Sequence, residues 1–166
     1  MKTLHLPLAA DTTRSVVPWV LLAGLSAGTL ELAFSSFYWI FHGVSPSRIL
    51  QVIAGWILGR ETALAGGWAS VLVGAALHYA LMTAMAAGYA LAARRLPVLL
   101  QQPLRYGALY GACMYGLMFV VLVPLLTGSR PLATLQPLDW QVACFAAYVV
   151  LVGIPCAVFA RAARRN

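Results

Sequence analysis

Residues 17–41 read VPWVLLAGLSAGTLELAFSSFYWIF, an apolar run interrupted by a single charged residue, Glu31. A helix needs roughly 20 residues to cross a hydrocarbon core of about 30 Å, and this run is long enough to do so. Lipid satisfies no backbone polar groups, so an isolated spanning segment must be helical, and the chain lacks the ten-residue alternation of a barrel strand. Leu25 to Gly28 faintly resembles a signal-peptide cleavage site. The apolar run continues to Phe41 behind a leader containing Asp11, which predicts a retained span.

Working outward, three further runs of this kind lie near 66–93, 106–127 and 139–160. Of the 166 residues 62% are hydrophobic and 9% charged, with a mean hydropathy of +0.85. A soluble domain averages about 25% charged residues, because its exterior must face water. The expected fold is therefore all-α, a single integral membrane four-helix bundle over 1–166.

The net charge of +7 comes from eleven basic residues that fall in short groups between the apolar runs. No element carries a basic face, so nucleic acid is not an expected partner and the lipid bilayer is. Lys2, Arg14, Arg94, Arg95, Arg105, Arg161, Arg164 and Arg165 belong to one side. Only Arg48, Arg60 and Arg130 lie on the other, beside Glu61 and Asp139. The positive-inside rule then predicts cytoplasmic N and C termini. Trp19, Tyr89 and Tyr106 at inner span ends, with Tyr38, Trp39, Trp68 and Trp140 at outer ends, read as interfacial aromatic belts.

The first outer loop has its own pattern. Ser45-Pro46 offers a cap and a proline at the first helical position, predicting a helix over 46–58. Ile49, Val52, Ile53 and Trp56 share one side; Arg48, Gln51 and Gly55 form a narrow polar stripe opposite. Too short to span, this helix should be interfacial or re-entrant. The loop from Thr127 to Asp139 is expected to be irregular.

Candidate functional residues concentrate in the first two spans. Gly24, Gly28, Glu31, Ser35, Tyr38 and His42 recur at helical spacing and share a face. Gly67, Ser70, Gly74 and His78 repeat the pattern in the second span. Glu31 and His78 each lie within roughly two residues of mid-span, about 3 Å in depth. An unpaired mid-membrane carboxylate is costly, so the two are expected to meet inside the bundle. Three roles stay open for such a pair: a structural hydrogen bond, proton or small-solute handling, and cofactor ligation.

His78 with Met82, Met85, Met114, Met118 and the cysteines Cys113, Cys144 and Cys156 offers a remote soft-metal or haem environment; gap-filling by methionine is the plainer reading. No ligand spacing identifies a metal site, and no cofactor is specified. Tyr106, Tyr110 and Tyr115 are positioned to hydrogen-bond across helices, and Pro155 to kink the fourth span. GxxxG occurs at Gly24/Gly28 and at Gly107/Gly111, a weak internal echo that also suggests homo-oligomerisation through small-residue faces. No phosphate loop, nucleophile elbow or zinc-protease motif is present, which argues against an enzyme.

Gly28-Thr-Leu-Glu31, Gly43-Val-Ser-Pro-Ser-Arg48, Ile49-Leu50-Gln51 with Ala54-Gly55, Gly66-Gly67, Leu77-His78 and Tyr106-Gly107-Ala-Leu-Tyr-Gly111 together resemble a widespread group of small, uncharacterised bacterial four-helix membrane proteins. The resemblance covers Gly24 to Leu126. Members commonly carry an acidic residue, often Asp, at the position of Glu31 and a histidine at that of His78. It implies a bacterial inner-membrane location and no established activity. Two function classes follow: proton or small-solute handling through Glu31 and His78, or a non-catalytic accessory subunit of a larger membrane complex.

Overall fold

The computed structural model describes residues 16–128 and 136–165. It is an all-α bundle whose four long helices are each apolar enough to span a membrane: α1 (Val17–Ile40), α4 (Gly67–Arg95), α5 (Pro103–Thr127) and α6 (Leu138–Arg165). Between α1 and α4 lie α2 (Pro46–Leu58) and a short α3 (Arg60–Ala65) that the sequence pattern did not suggest. A 3₁₀ turn at Pro97–Leu100 joins α4 to α5. The expectation of an irregular loop after Thr127 falls largely on 129–135, outside the described residues, as do Lys2, Arg14 and Arg130.

Local chemistry sets the boundaries. Pro18 sits in the first turn of α1, where its missing N–H is no loss. Ser45 accepts a hydrogen bond from the Arg48 N–H at 3.3 Å, and Pro46 opens α2. Gly59 has φ +80° and is both the C-cap of α2 and the N-cap of α3, a backbone state that side chains with a Cβ rarely adopt. Arg94 and Arg95 close α4, and Arg164 and Arg165 close α6, where cations complement the negative end of the helix dipole.

Packing in lipid has little hydrophobic drive, so close approach of helices must come from small residues. The two GxxxG motifs are committed within the chain. A Cβ at Gly24 would lie 2.6 Å from Thr83 Cα of α4, and one at Gly28 2.8 Å from the Tyr79 ring. A Cβ at Gly107 would lie 2.8 Å from the Gly153 carbonyl oxygen, and one at Gly111 would meet the backbone of Tyr148. Those faces build the α1–α4 and α5–α6 contacts, which removes them as surfaces for self-association. Tyr110 Oη donates to the Met85 carbonyl at 2.7 Å, tying α5 to α4.

Both prolines inside the last two spans sit just beyond a stretch of π-helix. Leu117–Leu122 precedes Pro124, and Tyr148–Gly153 precedes Pro155. A proline lacks the N–H that the carbonyl four residues earlier would accept, and its ring presses on that carbonyl. Widening the preceding turn to an i→i+5 pattern accommodates both effects.

Trp19 and Phe159 pair at one end of the bundle, with ring centroids 6.3 Å apart, and Tyr38 and Trp140 at the other, 4.6 Å apart. Helices α1 and α6 are thus antiparallel. The described arginines of α4, α5 and α6 cluster at the Trp19 end. Of the expected belt residues Trp68 is 77% exposed, but Tyr89 and Trp140 are buried: Tyr89 is 1% exposed and donates to the Leu99 carbonyl, and Trp140 is 7% exposed and packed among Phe34, Tyr38 and Trp39. Its position at the start of α6 suited either role; the neighbouring rings of α1 decide it.

Candidate functional site

Glu31 of α1 and His78 of α4 come together inside the bundle, 8% and 4% exposed. Glycines bring them there. With no side chain at Gly28, the Tyr79 turn of α4 approaches α1 closely enough for His78 Nε2 to donate to the Gly28 carbonyl at 2.9 Å. Glu31 lies one turn further on. Its Oε2 is 3.8 Å from His78 Nε2, within ion-pair range but beyond a direct hydrogen bond. Its Oε1 accepts from Ser35 Oγ at 2.8 Å, an i,i+4 contact along the same helix face.

The two residues therefore have different structural ties. His78 is anchored across helices through Gly28, with Nε2 carrying the proton. The hydrogen bond recorded for Glu31 stays within α1. When ionised, Glu31 draws its compensation from proximity to His78 rather than from a hydrogen bond to it.

The pair is not sealed in a packed core. It forms part of the wall of a cavity of about 300 Å³ that runs toward the α2 end of the bundle. The other walls come from three of the long helices: Ser35 and Trp39 of α1, Phe119 of α5, and Trp140 and Tyr148 of α6. Phe119 and Tyr148 project from the two π-helical stretches. Gln136 and Val44 contribute from the connecting segments.

Helix α2 closes the remaining side with Arg48, Ile49, Val52, Ile53 and Trp56. Arg48 consequently shares a wall with the apolar residues and does not belong to a stripe opposite them. Gln51 turns instead toward the start of α4, its Nε2 donating to the Gly67 carbonyl at 3.3 Å. Gly74 explains how α2 comes so close: a Cβ there would collide with the Leu50 carbonyl. Ile53 and Ala54 are buried as a result.

The rest of the predicted stripe divides. Gly24, Gly28, Glu31 and Ser35 are buried. Tyr38 and His42 lie beyond the cavity, in the aromatic cluster at the bundle end. There Tyr38 Oη donates to Asp139, and a His42 ring nitrogen donates to the Tyr38 carbonyl at 3.0 Å. Met82, Met85 and Met118 are core residues, as are Cys144 and Cys156. Among the described residues no group of three His, Cys, Asp or Glu side chains could hold a metal ion. The cavity aromatics Trp39, Phe119, Trp140 and Tyr148 were missed as site residues: Trp39 and Trp140 read as belt residues at span ends, and nothing in the spacing of Phe119 and Tyr148 marks them.

Family models, curated proteins and solved structures yield no match to this chain. The chemistry of the site has to be read from its own atoms.

Proposed function

We propose that this chain is a multi-pass protein of the bacterial inner membrane, with cytoplasmic termini, that binds a small solute in the cavity and couples that binding to protonation of the Glu31–His78 pair. The observation that carries the proposal is the placement of an ionisable pair on the wall of a cavity within a membrane bundle. A bare carboxylate at that depth costs on the order of 2.5–3.5 kcal/mol or more. A purely architectural role would be met by an uncharged hydrogen-bonding residue. It would also be expected to use Glu31 as a bond between helices, whereas its recorded hydrogen bond is local.

Ser35 of α1 and His78 of α4 adjoin the carboxylate, Cys144 and Tyr148 of α6 lie within electrostatic range of it, and Arg48 of α2 shares the cavity wall.

Tryptophan fluorescence reads the site directly, since Trp39, Trp56 and Trp140 line the cavity. Purified protein in lipid nanodiscs should show a pH-dependent emission step. Glu31→Gln keeps a group that can accept from Ser35 but cannot titrate, so it should retain helicity and thermal stability while losing that step. An unchanged pH profile in a folded Glu31→Gln protein would refute the coupling.

A further inference from the structure

We infer that the solute class of this cavity is the small amphipathic organic cation, an amine or quaternary ammonium with an apolar body, and that its binding displaces one proton from the pair. This deepens the function proposed above and rests on it.

Three observations converge. First, the walls carry five aromatic side chains, Trp39, Trp56, Phe119, Trp140 and Tyr148, on several helices. Aromatic faces attract cations most strongly where water is excluded, and tryptophan does so best. Second, the acidic group on the wall is Glu31, and its geometry leaves Oε2 without a short bond to the neighbouring imidazole. His78 Nε2 points its proton at the Gly28 carbonyl. An ionised Glu31 is thus a buried anion whose charge is compensated only if His78 is doubly protonated or a cation enters. Third, the cavity volume of about 300 Å³ is at the small end of ligand pockets, which suits a compact molecule.

Arg48 is the opposing charge. Arg48 is an exposed residue, so its charge is screened by solvent, whereas Glu31 is buried where charge interactions are strong. The buried charge dominates selection within the cavity. The exchange is balanced: a protonated Glu31–His78 pair plus the cation gives the ionised carboxylate paired with the cation, and one proton is released to solvent.

The test compares three aromatic probes on the full chain in nanodiscs, read by tryptophan quenching: benzyltrimethylammonium, its neutral isostere neopentylbenzene, and the anionic benzoate. The inference expects saturable binding of benzyltrimethylammonium at least about tenfold tighter than neopentylbenzene, strengthening as pH rises, with proton release detected by an indicator dye. In Glu31→Gln that preference should fall several-fold, to what the aromatic walls alone supply, with its pH dependence and the proton release lost, and Glu31→Asp should restore all three in part. Helicity and melting curves verify that each variant is folded.

Tighter binding of benzoate would assign the selectivity to Arg48 and overturn the cation class while leaving the cavity a solute site. Equal binding of the cation and neopentylbenzene would do the same in favour of a generic apolar pocket. Saturable cation binding with no proton release would overturn the exchange. Failure of all three probes to bind would remove the solute-binding function itself.

Discussion

Replacing Gly74 with alanine adds one methyl group where α2 crosses α4, and the structure says what that methyl meets. Beyond its collision with the Leu50 carbonyl oxygen, the new Cβ would stand 2.6 Å from Leu50 C and 3.2 Å from Leu50 Cα. Ordinary contact begins near 3.4 Å, so the Leu50 peptide must recede by about 1.5 Å before its oxygen is clear. Those atoms are backbone within a 13-residue helix, so no rotamer change relieves the clash; the helix must move. Overpacking of this kind costs roughly 1–3 kcal/mol. The displacement also lifts Ile53 and Trp56 from the cavity.

Two measurements check this. Melting in mild detergent should drop for Gly74→Ala but not for Gly116→Ala, where an added Cβ meets nothing within 4 Å. A cysteine at Ile53, normally 9% exposed, should react several-fold faster with a membrane-impermeant thiol reagent once Gly74→Ala is added, in a Cys113→Ser background. If stability and labelling rate both stay at the parental level, α2 does not close the cavity in the way its contact with Gly74 implies.

Other outcomes follow from the same packing. Trp140→Ala should cost about 3–5 kcal/mol in a reversible unfolding assay, whereas Trp68→Ala, at a lipid-exposed position, should stay within about 0.5 kcal/mol. Tyr38→Phe loses the hydroxyl that donates to Asp139 but keeps the ring contact with Trp140, so its melting shift should be much smaller than that of Trp140→Ala. Reporter fusions after Arg95 and at the C-terminus should be active with a cytoplasmic reporter only, and a fusion near Arg60 with a periplasmic one only; a periplasmic C-terminus would contradict the assigned orientation. In mild detergent the chain should purify as a monomer or homo-oligomer. Stoichiometric co-purification of a second protein would favour the accessory-subunit reading instead.

The four apolar helices were legible because spanning lipid is a strong constraint on length and composition, and both are read along one dimension. Glu31 and His78 were legible for a related reason. Each is an ionisable residue at similar depth in adjacent spans, and the cost of leaving either in lipid pushes both inward. The cavity was not legible. It exists because α2 folds back over the end of the bundle, and that depends on Gly74 meeting Leu50 across helices. A glycine in a membrane helix does not announce its partner: Gly24 and Gly107 belong to matching GxxxG motifs, yet one admits Thr83 of α4 and the other Gly153 of α6. Arg48 was assigned to a polar stripe because periodicity separates faces of a helix but does not say which face meets a cavity.

The two proline-linked π turns complete the site. A regular α-helix through residues 117–124 or 148–155 would rotate successive side chains by about 100° per residue. An i→i+5 turn holds one extra residue, which shifts the facing of everything on one side of the turn relative to the other. Phe119 and Tyr148 lie within these turns, and both line the cavity, while Gly111 and Gly153 keep the α5–α6 contact close. Each proline thus follows a turn that carries one aromatic wall of the cavity. Pro155→Ala should permit regular α-helical pairing through residues 148–155, rotating Tyr148 away from the carboxylate. The consequence is specific to the site. Helix content should stay unchanged, while the pH-dependent emission step ascribed to Glu31 shifts or disappears. A Pro155→Ala protein with the parental pH profile would show that the π turn is only an accommodation of the proline and has no part in orienting the cavity.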